Sequence, residues 1–282
     1  MKKAGLLGYP LGHSLSPQLH QKLCRYMDEP IEYSILEIST ENLENSWPQL
    51  KKLDGFNVTI PHKLRIKAYL DSLDVSAQKH GSVNVVAKQN GKYIGYNTDC
   101  IGFVRCMEGA GIEISGKVCV VGLGGVGRMF ATECAYHGCS ITFAVRKKHV
   151  EEWKAGQQAD LAALQQEISR ISGHSAKIVA SDELEEDFDL LINASPVGMY
   201  PNVEVMPVKK QSLKSVKAVF DCIYNPRETL LMKEAKAAGC QVCGGMPMLV
   251  WQAAAAQEIW YGKTFTKEQV AQVLAEMEEI LA

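Results

Sequence analysis

Gly122-Leu123-Gly124-Gly125-Val126-Gly127 lies near the middle of a 282-residue chain, directly after Lys117-Val118-Cys119-Val120-Val121. The apolar, β-branched run predicts a buried strand, and residues 128–137 after the glycines predict a helix. In that setting Gly122 permits a tight turn, Gly124 and Gly125 let backbone approach a pyrophosphate, and Gly127 lets helix pack on strand. The helix N-terminus then turns free N–H groups and a positive dipole end toward the phosphates. An ordinary glycine-rich strand-to-helix turn is the plainer alternative. Strand, glycines and helix in this order favour a dinucleotide.

Residues 139–145 (Cys-Ser-Ile-Thr-Phe-Ala-Val) predict the next strand, which runs out into Arg146-Lys147-Lys148. A site for NAD ends this strand with an acidic residue that accepts from the ribose 2′-hydroxyl. No carboxylate stands here. Arg146 can instead grip a 2′-phosphate through two parallel charge-assisted hydrogen bonds, with Lys147 adding charge. The expected cofactor is therefore NADP(H), against the alternative of a solvated basic loop.

Strands and helices alternate along the whole chain, which predicts an α/β protein. Before the glycine turn, strands are expected at 4–9, 31–38 and 55–59, with helices at 17–27, 41–53 and 63–72. Residues 83–89 and 92–96 read as a hairpin about Asn90-Gly91, a type I′ turn signal. A helix at 99–109 is taken as the link between domains. After the turn come a long polar helix at 150–171, broken near Gly156, and strands at 178–180, 188–193 and 218–223. Two helices, 247–260 and 266–281, close the chain without a strand of their own. The expected organisation is a substrate-binding α/β domain over 1–100 and a Rossmann-type, doubly wound NADP domain over 101–243. Helices in 244–282 are expected to return to the first domain.

Composition narrows the function. The chain is 46% apolar with a formal net charge of −2, which suggests neither nucleic acid nor an anionic membrane as a partner. No apolar run reaches the length of a membrane span, and no secretion signal opens the sequence. Nine cysteines, an odd number, point to free thiols in a reducing cytoplasm. Cys240 and Cys243 form a lone C-x-x-C, and without a second Cys/His pair they read as plain strand residues rather than a metal site.

Several polar residues stand where open α/β sheets bind ligands, at the carboxyl ends of strands. Asn57-Val58-Thr59-Ile60-Pro61-His62-Lys63 delivers Thr59 and Lys63 there, Lys63 as a substrate-facing cation or proton shuttle, or as a solvated surface lysine. In Ser14-Leu15-Ser16-Pro17, Ser16 reads as a helix N-cap, and Ser14 could join it in holding a carboxylate. His13 reads as a loop residue. Asp99 reads as a helix cap or, paired with Lys63, as half of an acid/base unit. Asn84, inside an apolar strand, needs a hydrogen-bond partner, for which a substrate hydroxyl is one candidate.

Eight segments together resemble the shikimate dehydrogenase family in order and spacing. They are Ser-Leu-Ser-Pro, Asn-Val-Thr-Ile-Pro-His-Lys, Gly-Ser-Val-Asn, Gly-Tyr-Asn-Thr-Asp, Gly-Leu-Gly-Gly-Val-Gly, Asn-Ala-Ser-Pro-Val-Gly-Met, Ile-Tyr-Asn-Pro and Met-Leu-Val-Trp-Gln-Ala-Ala. The resemblance covers nearly the whole chain. It implies NADP-linked interconversion of 3-dehydroshikimate and shikimate without a metal, in chorismate and aromatic amino-acid biosynthesis, by a monomer or homodimer. It implies that Ser14, Ser16 and Thr59 hold the substrate carboxylate, that Asn84 and Gln252 bind hydroxyls, and that Tyr224 reaches the substrate from the cofactor side. Lys63 and Asp99 contact ring hydroxyls and carry the proton. Gly122, Gly124, Gly125 and Gly127 match the phosphate loop, Arg146 the 2′-phosphate arginine, and Met199, Gly245 and Met248 the nicotinamide pocket. Against the family's pattern, Val85 replaces a threonine and Pro247 a glycine. Two other readings share these residues: a quinate or quinate/shikimate dehydrogenase using NAD or NADP, and a non-catalytic NADP(H)-binding regulator.

Overall fold

A computed structural model describes residues 1–12, 14–27 and 29–280. The chain divides into two compact units. One combines Met1–Gly102 with Leu249–Glu279, and the other takes Phe103–Met248 with Ile280.

The first unit is built on β1 (Lys2–Gly8), α1 (Ser16–Cys24), β2 (Ile31–Glu37), α2 (Leu43–Leu50), β3 (Gly55–Val58), β4 (Ser72–Leu73), α3 (Val75–His80), β5 (Val85–Gln89) and β6 (Lys92–Tyr96). Its six-stranded sheet has the order β2-β1-β3-β5-β6-β4. The β1–β2 and β1–β3 pairs are parallel, while β3–β5 and β5–β6 are antiparallel. The β5–β6 turn has φ 52° at Asn90 and 80° at Gly91, the two positive values that a type I′ turn demands. The period-2 alternation of a strand sorts β5 between two cores. Val86 packs with Leu7, Leu50, Phe56 and Ile66, whereas Val85 and Ala87 pack with Ala4, Ala256 and Trp260.

That second core is supplied by the end of the chain. Helix α4 (Thr98–Ala110) leaves the first unit, and α9 (Gly245–Tyr261) and α10 (Lys267–Ile280) belong largely to it. Trp260 Nε1 donates to the Val86 carbonyl at 3.0 Å, and Glu276 of α10 pairs with Lys22 and Arg25 of α1, each at 2.6 Å. Val85, where the family pattern has a hydroxyl, is fully buried in this core, so it serves packing. Pro247 lies in the first turn of α9, where its missing N–H costs no helical hydrogen bond.

The second unit comprises β7 (Lys117–Val121), α5 (Gly125–Tyr136), β8 (Ser140–Val145), α6 (Lys147–Lys154), α7 (Ala159–Ser172), β9 (Lys177–Ala180), β10 (Phe188–Asn193), β11 (Val216–Asp221), α8 (Leu230–Ala237) and β12 (Gln241–Cys243). All its sheet pairings are parallel, in the order β12-β11-β10-β7-β8-β9. Counted from β7, this is the 3-2-1-4-5-6 order of a dinucleotide-binding fold. Cys119, Leu191, Val219 and Leu231 belong to one core, and Phe103, Phe130 and Phe220 cluster with ring centroids 4.7–5.4 Å apart.

Several local expectations shift. Residues 63–72 form a 3-10 turn (Arg65–Tyr69) and the short β4 rather than one helix. Asp71 is captured by the sheet, accepting from Tyr93 N at 2.7 Å, which ends the turn early. Helix α3 follows, capped by Asp74 and closed by Gly81 at φ 62°. The polar stretch from 150 splits into α6 and α7, with Gly156 at φ 74° between them, and α6 starts earlier, at Lys147. Helix α8, capped by Thr229, was not expected. The C-x-x-C is not a sulfur pair: Cys240 Sγ donates to the Val216 carbonyl, while Cys243 Sγ lies 3.2 Å from Cys106 Sγ. All nine cysteines are free.

Candidate active site

Asn97 accepts from the backbone N–H groups of Asp99 at 3.1 Å and Cys100 at 3.3 Å. It is therefore the cap of α4, the role expected of Asp99. The carboxylate of Asp99 is left for other partners. Its Oδ2 accepts from Lys63 Nζ at 2.6 Å and its Oδ1 from Asn84 Nδ2 at 2.8 Å. The Lys63 and Asp99 side chains are 27% and 14% exposed, open enough to meet a ligand and covered enough to escape full screening.

Asn84 lies just before β5 rather than inside it, and it is nearly buried. Its amide is fully engaged within the protein, donating to Thr98 Oγ1 at 3.0 Å and accepting from Thr98 N at 2.6 Å. Asn84 thus holds Asp99 in place. Thr98, which sequence reasoning overlooked, completes this cluster, and its signal was its place in Gly-Tyr-Asn-Thr-Asp.

Ser16 is the first residue of α1, with Leu15 at the cap position, so Ser16 does not cap the helix as expected. Ser14 Oγ accepts from Ser16 N at 3.2 Å and donates to Ser16 Oγ at 3.1 Å. The two hydroxyls are thereby brought together at a helix N-terminus without a capping side chain, an arrangement that suits a carboxylate. Behind them Ser16 bonds Tyr33, whose hydroxyl donates to Asn57 Oδ1 at 2.7 Å. Tyr33 stacks on His20 at 4.4 Å, and burial pushes the His20 imidazole down to about 3, so it is a neutral structural ring. Thr59 follows β3 directly, its N–H bonded to the Leu7 carbonyl at 2.8 Å. Gln252 donates to the Leu249 carbonyl of its own helix at 2.9 Å. His13 lies outside the described residues.

In the second unit a cavity of about 580 Å³ opens at the carboxyl ends of β7, β8 and β10. Gly122, Gly124, Arg128, Arg146, His149 and Ser195 are among its lining residues. Gly122 has φ 90°, a conformation that favours glycine. A Cβ at Gly127 would collide with the Gly122 carbonyl, so this glycine permits the close helix–strand approach. At Gly124 and Gly125 a Cβ would meet open space, and no side chain caps α5, so the turn presents bare backbone to a ligand. These features fit a pyrophosphate.

Lys147 departs from its expected role: its Nζ pairs with Glu183 at 3.3 Å, and it is not among the residues lining the cavity, whereas His149 is. Met199 and Tyr224 are partly exposed on the loops after β10 and β11. Gly245 and Met248 occupy the first turn of α9, where a Cβ at Gly245 would strike the Cys222 backbone. None of these four lines the cavity that holds Arg146.

The comparisons with known proteins agree with both halves. Residues 6–86 match the family model of the shikimate dehydrogenase substrate binding domain, and residues 118–197 match that of ketopantoate reductase PanE/ApbA. The second match spans β7 to β10 with the helices α5, α6 and α7 between them. Over 266 residues the chain is 37% identical to shikimate dehydrogenase (NADP(+)) of Methanococcus maripaludis strain C6, covering 93% of this chain and 92% of that protein. The chain belongs to the shikimate dehydrogenase family. A solved shikimate dehydrogenase in complex with NADP+ superimposes with TM-score 0.85 at 35% identity, covering 98% of this chain and 96% of that one. The shikimate dehydrogenase of Thermus thermophilus, solved with NADP(H) and shikimate, gives TM-score 0.82 at 27% identity, covering 98% and 99%. A shikimate dehydrogenase fold thus accounts for both units and for the returning C-terminal helices.

Proposed function

We propose that this chain is an NADP-dependent oxidoreductase of the 1.1.1 class that interconverts 3-dehydroshikimate and shikimate. The reading rests most on the Lys63–Asp99 pair, fixed by Asn84 in the same unit as two converging serine hydroxyls. The serine pair suits a carboxylate and the Lys63–Asp99 pair a ring hydroxyl, the two functions that this substrate carries. Arg146, at the end of a strand without an acidic residue, supports NADP over NAD.

When bound, NADPH would supply the hydride that the carbonyl carbon of the ketone needs. Gly122, Gly124 and Gly125 with the α5 N-terminus would hold its pyrophosphate and Arg146 its 2′-phosphate, while Met199, Gly245 and Met248 would flank the nicotinamide. Ser14, Ser16 and Thr59 hold the substrate carboxylate and Gln252 contacts a hydroxyl, while Asn84 keeps the Asp99 carboxylate in place. The oxygen of the reduced ketone takes one proton, delivered through the Lys63–Asp99 pair, so that carbonyl, hydride and proton give the alcohol. Positioning is a large part of the rate.

We assign the protein to the cytoplasm. Nine free cysteines, eight of them buried, suit a reducing compartment. Among the described residues no helix is long and apolar enough to cross a membrane. The deciding assay measures kcat/KM for shikimate and quinate, each with NADP+ and NAD+. Shikimate with NADP+ should exceed every other combination. A preference for quinate would reassign the substrate, and nucleotide binding without turnover would make the protein a regulator.

A further inference from the structure

We propose that His149 and Glu152 form a relay that positions Arg146 for the cofactor's 2′-phosphate, so that His149 helps set the preference for NADP over NAD. The proposal rests on the NADP reading above. Arg146 occupies the cap position of α6 in an extended conformation (φ −61°, ψ 141°) and makes no capping bond. Its Nη2 lies 2.8 Å from His149 Nε2, and His149 Nδ1 lies 3.2 Å from Glu152 Oε2. The same carboxylate oxygen accepts from Gln158 Nε2 at 2.6 Å.

Donor counting orders the chain. A guanidinium has donors and no acceptor, so His149 Nε2 must accept. The hydrogen of the neutral ring then sits on Nδ1 and is donated to Glu152. Gln158's hydrogen bond, with smaller help from His149 and Lys148, holds the Glu152 carboxyl below its ordinary range, keeping it an acceptor. The i, i+3, i+6 spacing puts all three residues on one side of α6, whereas Lys147 turns to Glu183. Arg146, His149 and Gln158 all line the cavity that holds Gly122 and Gly124. A long, mobile arginine is thereby ordered before ligand arrives, and ordering it in advance raises affinity.

The test measures dissociation constants of NADP+ and NAD+ for the intact protein by calorimetry. His149→Ala should weaken NADP+ about tenfold and leave NAD+ within about twofold, as expected when a charge-assisted contact is lost. His149→Gln, whose amide can accept from the guanidinium and donate to Glu152, should restore most of the loss. In an Arg146→Ala background, His149→Ala should have no further effect. Unchanged NADP+ affinity in His149→Ala, an equal loss for both nucleotides, no rescue by glutamine, or a persisting loss without Arg146 would each overturn the relay. If Arg146→Ala itself weakens both nucleotides equally, the 2′-phosphate assignment of Arg146 fails instead.

Discussion

Lys63 Nζ lies 2.6 Å from one oxygen of Asp99, and Asn84 Nδ2 lies 2.8 Å from the other. The residues are 36 and 15 positions from Asp99 in sequence, and the fold brings all three to one carboxylate. Each of its oxygens has a fixed partner, so the ammonium has a defined direction toward a bound hydroxyl. Replacing Lys63 by alanine should lower kcat by ~10²- to 10⁴-fold, the range of positioned acid/base groups, with NADP+ affinity within about twofold of wild type. Stopped-flow rates beside nucleotide titration check this, and a near-normal kcat would remove Lys63 from the chemistry.

The serine pair should report on substrate binding rather than on the chemical step. The Ser14→Ala, Ser16→Ala double variant removes two hydroxyls that can donate to a carboxylate. Hydrogen bonds to charged groups contribute about 1.5–3 kcal/mol each, so KM for shikimate should rise at least about tenfold. Steady-state kinetics should show kcat changing far less. A fall in kcat with unchanged KM would count against the carboxylate role.

Gly127→Ala tests the turn. The added methyl would meet the Gly122 carbonyl and lie 3.2 Å from Ala194 Cβ, and backbone cannot yield there cheaply. The second unit should lose about 1–3 kcal/mol, as overpacking does, and cofactor affinity should fall as well. Urea unfolding and nucleotide titration measure the two effects. Gly124→Ala, facing open space, should spare stability and weaken the cofactor alone.

His20 makes stability depend on pH. Burial lowers its folded value to about 3, against an ordinary 6.5, so between these values the unfolded chain binds a proton that the folded one refuses. This contribution is complete above about pH 6.5 and declines as pH falls toward 3, at about 1.4 kcal/mol per pH unit. Urea unfolding of wild type at pH 6.5 and 4.5 should therefore differ by up to about 2.7 kcal/mol from this group. His20→Gln should lack one proton's worth of that slope. An identical slope in the variant would show that the ring does not resist protonation.

What the sequence made legible was chiefly local. The glycine turn and the Asn90-Gly91 hairpin are dictated by residues within six positions of one another, and both formed as expected. Helices α3 and α8 escaped because they are short and their apolar faces too brief to show a period. Their caps, Asp74 with Gly81 and Thr229, were nevertheless readable. Ser16 and Asp99 carried capping chemistry on paper, yet Ser14 bonds the Ser16 N–H and Asn97 caps α4, since which of several adjacent polar residues caps is decided by backbone angles. Asn84's pairing with Thr98 and Asp99 is tertiary, spanning 14 and 15 positions, so only the motif that carries those two residues marked it. Among Arg146, Lys147 and His149, helical rotation per residue decides which face the cavity. That spacing was present in the sequence.

Eight of the nine thiols lie beneath the surface, and burial pushes Cys119 upward and Cys222 up to about 12. A thiolate is the reactive form, so Cys119 and Cys222 are poor nucleophiles while the chain stays folded. Alkylating reagents and peroxides therefore reach the eight buried thiols slowly until the chain opens. The appearance of titratable sulfhydryl groups then serves as a built-in gauge of unfolding, available without any added label.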